Sequence, residues 1–418
     1  MNAWKKWQSI WRQQLFVFVK LMVFSCVIGI SVGVVGAVFH MAIERATALR
    51  TDHPWLLYCM PAAGVVIIFM YQFCHMEKDR GTNFVLTAVR ENEPMYLRTA
   101  PLIFIATVLT HLTGGSSGRE GAALQLGGSI SSKIGRVMGL DDKDERIITM
   151  CGMAAGFSAL FGTPITAAVF AMEVVSVGVM YYAAIVPCTL GAVIAKLTAE
   201  QIGGEATFFA LPEIPQIDAL SIAKALAMGV LCALLSAIFC YVIHKTPKLY
   251  AKYLPDPVQR AAAGGFFVIL LTLFVQSRDY NGAGMEVIER ALQGEASSGA
   301  FALKILFTAI TLGAGFKGGE IVPVFFTGAT FGCVAGGVLR LPASFGAALG
   351  MTAVFCGVTN CPMSSILLAY ELFGGEQLGL FVLCIAVAYT LSGYYGLYSE
   401  QKIVYSKLKP EFIDKKAH

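Results

Sequence analysis

Charge is what this sequence has least of. Only 14% of its 418 residues are Asp, Glu, Lys or Arg, while 56% are apolar. A soluble domain of this size cannot clothe its surface with so few charges, so a water-soluble globular fold is excluded. The formal net charge of +4 is small, and no nucleic-acid partner is expected. Eleven cysteines are scattered through mostly apolar stretches with no C-x-x-C pair. They read as small buried hydrophobes, which leaves neither a disulfide framework nor a cysteine metal site. The six histidines form no H-E-x-x-H spacing, and no glycine-rich segment ends in Gly-Lys-Ser/Thr. Those absences argue against a metalloprotease and a phosphate loop, and no metal or cofactor is expected. A short apolar core followed by a small-residue cleavage site is also missing at the start, so the first apolar stretch is expected to be a retained helix.

Long apolar runs are what the chain does have. Segments near residues 15–43, 55–76, 147–173, 179–198, 219–245, 262–276, 300–315 and 377–399 reach or approach membrane length. A helix needs about 20 apolar residues to cross a bilayer, so about ten passages are predicted, some of them incomplete. The 43 glycines and 15 prolines sit largely inside these regions, which points to helices broken within the membrane and to closely approaching backbones. Lys5, Lys6, Arg12 and Lys20 flank the first run, and Lys402, Lys407, Lys409, Lys415 and Lys416 follow the last. That bias puts both termini in the cytoplasm.

The chain repeats itself. Laid over each other at an offset of 198, residues 152–173 and 350–371 share Gly152/Gly350, Met153/Met351, Ala155/Ala353, Phe157/Phe355, Pro164/Pro362, Ala171/Ala369 and Glu173/Glu371. Upstream, Gly115, Gly118, Glu120 and Gly128 align with Gly315, Gly318, Glu320 and Gly328 at an offset of 200, and residues 81–90 roughly match 282–292. The reading is an N-terminal half at 1–210, a proline-marked linker at 211–218 and a C-terminal half at 219–418. With both termini on one side, each half crosses the membrane an odd number of times. The expected fold is therefore an all-α polytopic membrane protein of two inverted repeats, with broken helices meeting near the midplane around a transported ligand.

Two breaks carry the chemistry. Gly114-Gly-Ser-Ser-Gly-Arg-Glu-Gly121 follows one apolar run and precedes another. Free N–H groups at the start of the following helix can hold an anion without a full positive charge. Glu120 at membrane depth is costly when charged, so its charge depends on whether a competing anion fills the site, and it can carry a proton. The plainer alternative is a buried structural pair of Arg119 and Glu120. In the second break, Gly313-Ala-Gly-Phe-Lys-Gly-Gly-Glu-Ile-Val-Pro323, Lys317 and Glu320 either neutralise each other or leave Glu320 facing the pathway. Glu173 and Glu371, at matching helix ends, read as structural or interfacial.

Gly118-Arg-Glu-Gly121, Ala154-Ala-Gly-Phe-Ser-Ala-Leu-Phe-Gly-Thr-Pro164 and Gly318-Gly-Glu-Ile-Val-Pro323 together resemble the signature segments of CLC anion channels and transporters, and the match covers the whole membrane domain. The resemblance implies a homodimer in a lipid bilayer with one pathway per subunit. It makes Glu120 the gating glutamate and Tyr398 a residue reaching the central anion, and it suggests a bacterial inner membrane. The departures resemble the fluoride/proton antiporter branch. Arg80-Gly-Thr-Asn-Phe84 replaces the serine-bearing segment of chloride members, Glu320 replaces an aliphatic residue, and Val174 stands where many exchangers keep an inner proton-handling glutamate. Ala122 and Val322 depart from that branch as well, at positions where a proline and a threonine are found.

Fluoride is small and tightly hydrated, so its site must replace water with close donors. Candidates are Gly81, Thr82, Asn83, the ring edge of Phe84, and the groups around Arg119, Gly121, Ile321, Val322 and Tyr398. Fluoride and protons are the expected partners, with Glu120 and Glu320 handling the proton, and no enzyme activity is expected. A chloride/proton exchanger or a passive anion channel of the same fold is the near alternative. A serine hydrolase built on Ser116 or Ser117 with His111 is a remote one, since no nucleophile elbow supports it.

Overall fold

Hydrocarbon offers no partner to a backbone amide, so apolar runs of this length become helices, which satisfy those groups internally. The computed structural model describes residues 2–77, 79–91, 93, 95–204 and 208–417, without the side chains of residues 2, 3, 5, 6 and 9. Lys5 and Lys6, part of the charge bias read above, thus lie outside the described side chains.

The chain runs through α1 (Asn2–Asp52), α2 (Met60–Phe73), α3 (Thr82–Glu91), α4 (Thr99–Leu112), α5 (Glu120–Val137), α6 (Asp142–Phe161), α7 (Pro164–Glu173) and α8 (Ile185–Ile202). After the helix-free residues 211–218 it runs through α9 (Ala219–Tyr253), α10 (Pro257–Val275), α11 (Met285–Leu292), α12 (Ala300–Gly313), α13 (Ile321–Val338), α14 (Ala343–Thr359), α15 (Pro362–Phe373) and α16 (Leu378–Leu391). Six helical segments among the described residues are long and apolar enough to cross a bilayer, and six shorter apolar helices of 10–17 residues accompany them. The protein is a helical polytopic membrane protein. The run expected at 147–173 is two helices, because Gly162 turns at φ +69° and Pro164 opens α7. A left-handed residue after a helix and a proline at the next helix's first position form the usual stop and restart.

Outer helices present large apolar side chains to lipid, Phe274 of α10 being 85% exposed, while Phe325, Phe326, Phe345 and Phe355 of α13 and α14 are enclosed. Helices gain little hydrophobic energy by meeting inside a bilayer, so close backbone packing matters more. A Cβ at Gly127 would lie 1.9 Å from the Gly152 carbonyl oxygen, and one at Gly332 would lie 2.2 Å from that of Gly346.

Structure corrects the register of the repeat. The helix pairs α4/α12 and α5/α13 correspond at an offset of 201, not 200. Gly114 (φ +87°) is thus the counterpart of Gly315 (φ +106°), and Glu320 matches Arg119 instead of Glu120. The start of α3 likewise pairs Gly81 (φ +59°) with Gly284 (φ +80°), not with Gly282. Identical letters misled the alignment, by one residue at the breaks and by two at the start of α3, where Gly282 is left-handed too (φ +64°) and the helix starts decide.

One feature is not helical. Strand β1 (Ser176–Val177), which follows α7, pairs in parallel with β2 (Lys402–Tyr405), and β2 pairs antiparallel with β3 (Phe412–Lys416). This small sheet ties the chain after α16 back onto the first half.

Candidate functional site

The two glycine-rich breaks meet. Gly118 N–H donates to the Gly319 carbonyl at 2.6 Å, and Gly319 N–H donates back to the Gly118 carbonyl at 2.7 Å. This isolated antiparallel bridge sets the first turns of α5 and α13 side by side. Ser116 is tied across the halves as well, its N–H donating to Thr311 Oγ1 at 3.1 Å and its hydroxyl sharing a hydrogen bond with Thr308 at 2.9 Å.

Glu120 is fully enclosed at this junction. Its Oε2 accepts from Arg119 N–H at 3.0 Å and from Val322 N–H, in the first turn of α13, at 3.3 Å. The first amides of a helix have no partner within it and carry the positive end of its dipole. The carboxylate therefore stands where a free anion would bind. Its other oxygen has no hydrogen-bond partner among the described residues and lies 3.8 Å from Arg119 Nε. The Arg119–Glu120 pair weighed from the sequence thus exists, at a long distance. Arg119 also reaches away from the junction to His40 Nδ1, whose Nε2 meets Glu44 at 2.8 Å. Its guanidinium is engaged by those partners, while its backbone N–H is on Glu120 Oε2.

Glu320 stands at the start of α13 without a side-chain capping hydrogen bond, and one of its oxygens is buried with no partner among the described residues. A Cβ on Gly121 would lie 3.5 Å from that oxygen. Lys317 does not neutralise Glu320, because it pairs with Asp79 at 2.9 Å and lies over the Tyr71 ring. The expected Ile321 and Val322 open α13 and are both buried.

From α3, Thr82 Oγ1 lies 3.3 Å from the Gly121 carbonyl. Gln125 Nε2 lies 3.2 Å from that carbonyl and 3.4 Å from the threonine hydroxyl. Asn83 accepts from Glu400 N–H through its Oδ1 at 3.1 Å, which leaves its amide donors free of that contact. Phe84 is held by its ring face beneath the Arg80 guanidinium, 5.4 Å from the centroid. Tyr398 is buried, and its hydroxyl has no partner among the described residues. Ser117 Oγ and His111 Nε2 are likewise unpartnered, so the serine–histidine pair of a hydrolase is not formed. A cavity of about 150 Å³ opens beside the junction, lined by Asn83, His244, Glu320 and Leu397 among others.

Sequence reasoning missed Gln125, His40 and His244. Gln125 was legible as a polar residue one turn beyond Gly121 in a helix start of small and apolar residues; the two histidines became notable only through long-range contacts. The candidate inner relay is also accounted for. Val174 is fully buried, and its neighbour Glu173 spends both oxygens on Met363 N–H at 3.1 Å and Ser364 N–H at 2.9 Å.

Broken backbones that meet around an enclosed carboxylate define an ion-transporting membrane protein. More particularly, the chain belongs to the voltage gated chloride channel family, whose family model matches residues 62–393. It is 31% identical over 395 residues to the chloride/fluoride channel protein of Pseudomonas syringae pv. tomato, covering 93% of this chain and 87% of that one. It is 24% identical to the H(+)/Cl(-) exchange transporter ClcA of Vibrio cholerae serotype O1, covering 85% and 82%. The crystal structure of a CLC-type fluoride/proton antiporter matches with a TM-score of 0.89 at 32% identity, over 92% of this chain and 98% of that chain. A slow cyanobacterial Cl-/H+ antiporter shares the fold at a TM-score of 0.75 and 19% identity, over 89% and 94%. The resemblance carried by the three motifs therefore holds.

Proposed function

We propose that this chain is a secondary transporter, not an enzyme, that exports cytosolic fluoride in exchange for entering protons. The observation that carries the reading is the Glu120 carboxylate on the Val322 amide at 3.3 Å. A carboxylate and a fluoride ion compete for the same donors, and protonation removes the carboxylate's claim to them. Protonated Glu120 withdraws, fluoride takes the amides of Ile321 and Val322, and deprotonated Glu120 returns to displace it. Asn83, Thr82 and the unpartnered Tyr398 hydroxyl supply further donors along the path, where a small anion stripped of water needs close charge-assisted hydrogen bonds. Glu320, at the same helix start, takes the proton onward. The names of the similar proteins, a chloride/fluoride channel protein and a fluoride/proton antiporter, support the choice of ion.

In this reading residues 1–210 and 219–418 are inverted-topology halves joined by the linker 211–218. Two copies form a homodimer in a bacterial inner membrane, with both termini cytoplasmic. The test is electrode-monitored efflux from proteoliposomes loaded with fluoride or chloride, under clamped voltage and an imposed pH gradient. Fluoride selection with uphill movement driven by protons is expected. Equal or faster chloride movement would overturn the selectivity, and uncoupled flux would make the protein a channel.

A further inference from the structure

The exchange proposed above needs a proton exit to the cytoplasm, yet the residue after Glu173 is Val174 and Glu173 itself is consumed by amides of α15. The cavity beside the junction offers another exit. Glu320 contributes to one part of its wall and His244 of α9 to another, and these are the two acid–base side chains in its lining. Its volume of about 150 Å³ has room for several waters. Pro247 also lines it. Lacking an N–H, Pro247 leaves the Ile243 carbonyl without its helical partner beside the histidine.

The ring of His244 is oriented. Its Nε2 lies 2.7 Å from the Gly396 carbonyl oxygen. A carbonyl only accepts, so Nε2 carries the hydrogen and Nδ1 is the basic nitrogen. Gly396 lies two residues before Tyr398, which fixes the ring relative to the anion path. Beyond His244 the same helix continues with Lys245, Lys248 and Lys252, and such a cluster marks the cytoplasmic end of a span. Lys245 points at the Tyr241 ring. Across the cavity α12 presents Ala309, Leu312 and Gly313, none of which titrates.

Resting on the exchange reading, we infer that His244 passes protons between Glu320 and the cytoplasm. The Glu320 O–H bond breaks as an Nδ1–H bond forms, giving an imidazolium that still donates through Nε2 to Gly396. The Nδ1 proton then leaves to cytoplasmic water and restores the neutral ring.

The test is His244→Gln in proteoliposomes, with fluoride efflux and proton uptake followed together. Glutamine can keep the donor to Gly396 and cannot relay a proton. The maximal exchange rate is expected to fall at least about tenfold, with the half-saturating fluoride concentration unchanged. His244→Ala with imidazole on both faces should recover much of the lost rate. An unchanged rate in His244→Gln, or a loss that imidazole leaves unrepaired while half-saturation rises, would overturn the inference. Absence of pH-driven fluoride movement in the unaltered protein would instead overturn the exchange reading itself.

Discussion

Glu173 and Glu371 each close the start of the other's helix. Glu371, on α15, accepts from Ile165 N–H at 3.0 Å and Thr166 N–H at 2.7 Å in the first turn of α7. Glu173, the last residue of α7, does the same for Met363 and Ser364 of α15. Each short helix thereby lends a carboxylate to the positive end of its counterpart. The arrangement is reciprocal because the halves repeat. A capping carboxylate replaced by alanine leaves orphan amides, and the loss is typically about 0.5–2 kcal/mol. Glu371→Ala should lower the thermal unfolding midpoint in detergent while the proton-to-fluoride ratio stays as it was.

The gate has a sharper signature. Glu120→Gln keeps the size of the side chain but cannot alternate between charged and neutral forms. Fluoride flux should persist and stop responding to an imposed pH gradient, with proton uptake per fluoride reduced at least about tenfold. Paired fluoride and pH electrodes on proteoliposomes read both quantities.

Glu320 is tested by the same pair of electrodes. Because Lys317 forms its ion pair with Asp79 at 2.9 Å, and one Glu320 oxygen has no hydrogen-bond partner among the described residues, Glu320 is placed to take part in proton transfer. Glu320→Gln should abolish uphill fluoride movement while leaving downhill movement measurable. Coupling like that of the unaltered protein would remove Glu320 from the mechanism.

Gly118→Ala probes the junction itself. A Cβ there would lie 2.5 Å from Glu120 Oε2 and 3.1 Å from the Val322 nitrogen. Crowding of this kind costs about 1–3 kcal/mol, enough to lower the carboxylate's occupancy of those amides by about 5-fold to 150-fold. Fluoride efflux at alkaline pH, where the charged carboxylate normally obstructs the path, should rise relative to the unaltered protein.

Lys407 gives a pH dependence outside the membrane-spanning helices. In the segment after β2 it reaches Asn360 Oδ1 and Ser392 Oγ, and burial lowers its ammonium from 10.5 to about 8. Between pH about 8 and 10.5 the unfolded chain therefore holds more protons than the native one, so this residue's contribution to stability rises with pH through that window. Below it, burying the charge opposes folding by on the order of 3 kcal/mol. Unfolding of the unaltered protein and of Lys407→Met, compared from pH 7 to 10, should show the unaltered protein gaining on the variant as the pH climbs.

The repeat, the breaks and the carboxylate at their junction were legible because they are written in glycine spacing and in apolar length. The direction of side chains was not. Arg119 turns to His40 and Lys317 to Asp79, and each choice depends on a partner that comes from another element. The one-residue slip between Glu120 and Glu320 has the same origin. Letter identity aligns side chains, whereas the fold aligns the left-handed backbone of Gly114 and Gly315.

The bridge between Gly118 and Gly319 bears on how the protein is made. Synthesis delivers Gly118 to the membrane some two hundred residues before its partner exists. Until then the first break holds an amide and a carbonyl at membrane depth with neither a helix nor a second half to receive them, and hydrocarbon cannot supply the hydrogen bonds. The nascent N-terminal half must keep that break in water or against a chaperoning surface, and it completes its own backbone only when residue 319 arrives. The junction that seats Glu120 thus has no existence in either half alone.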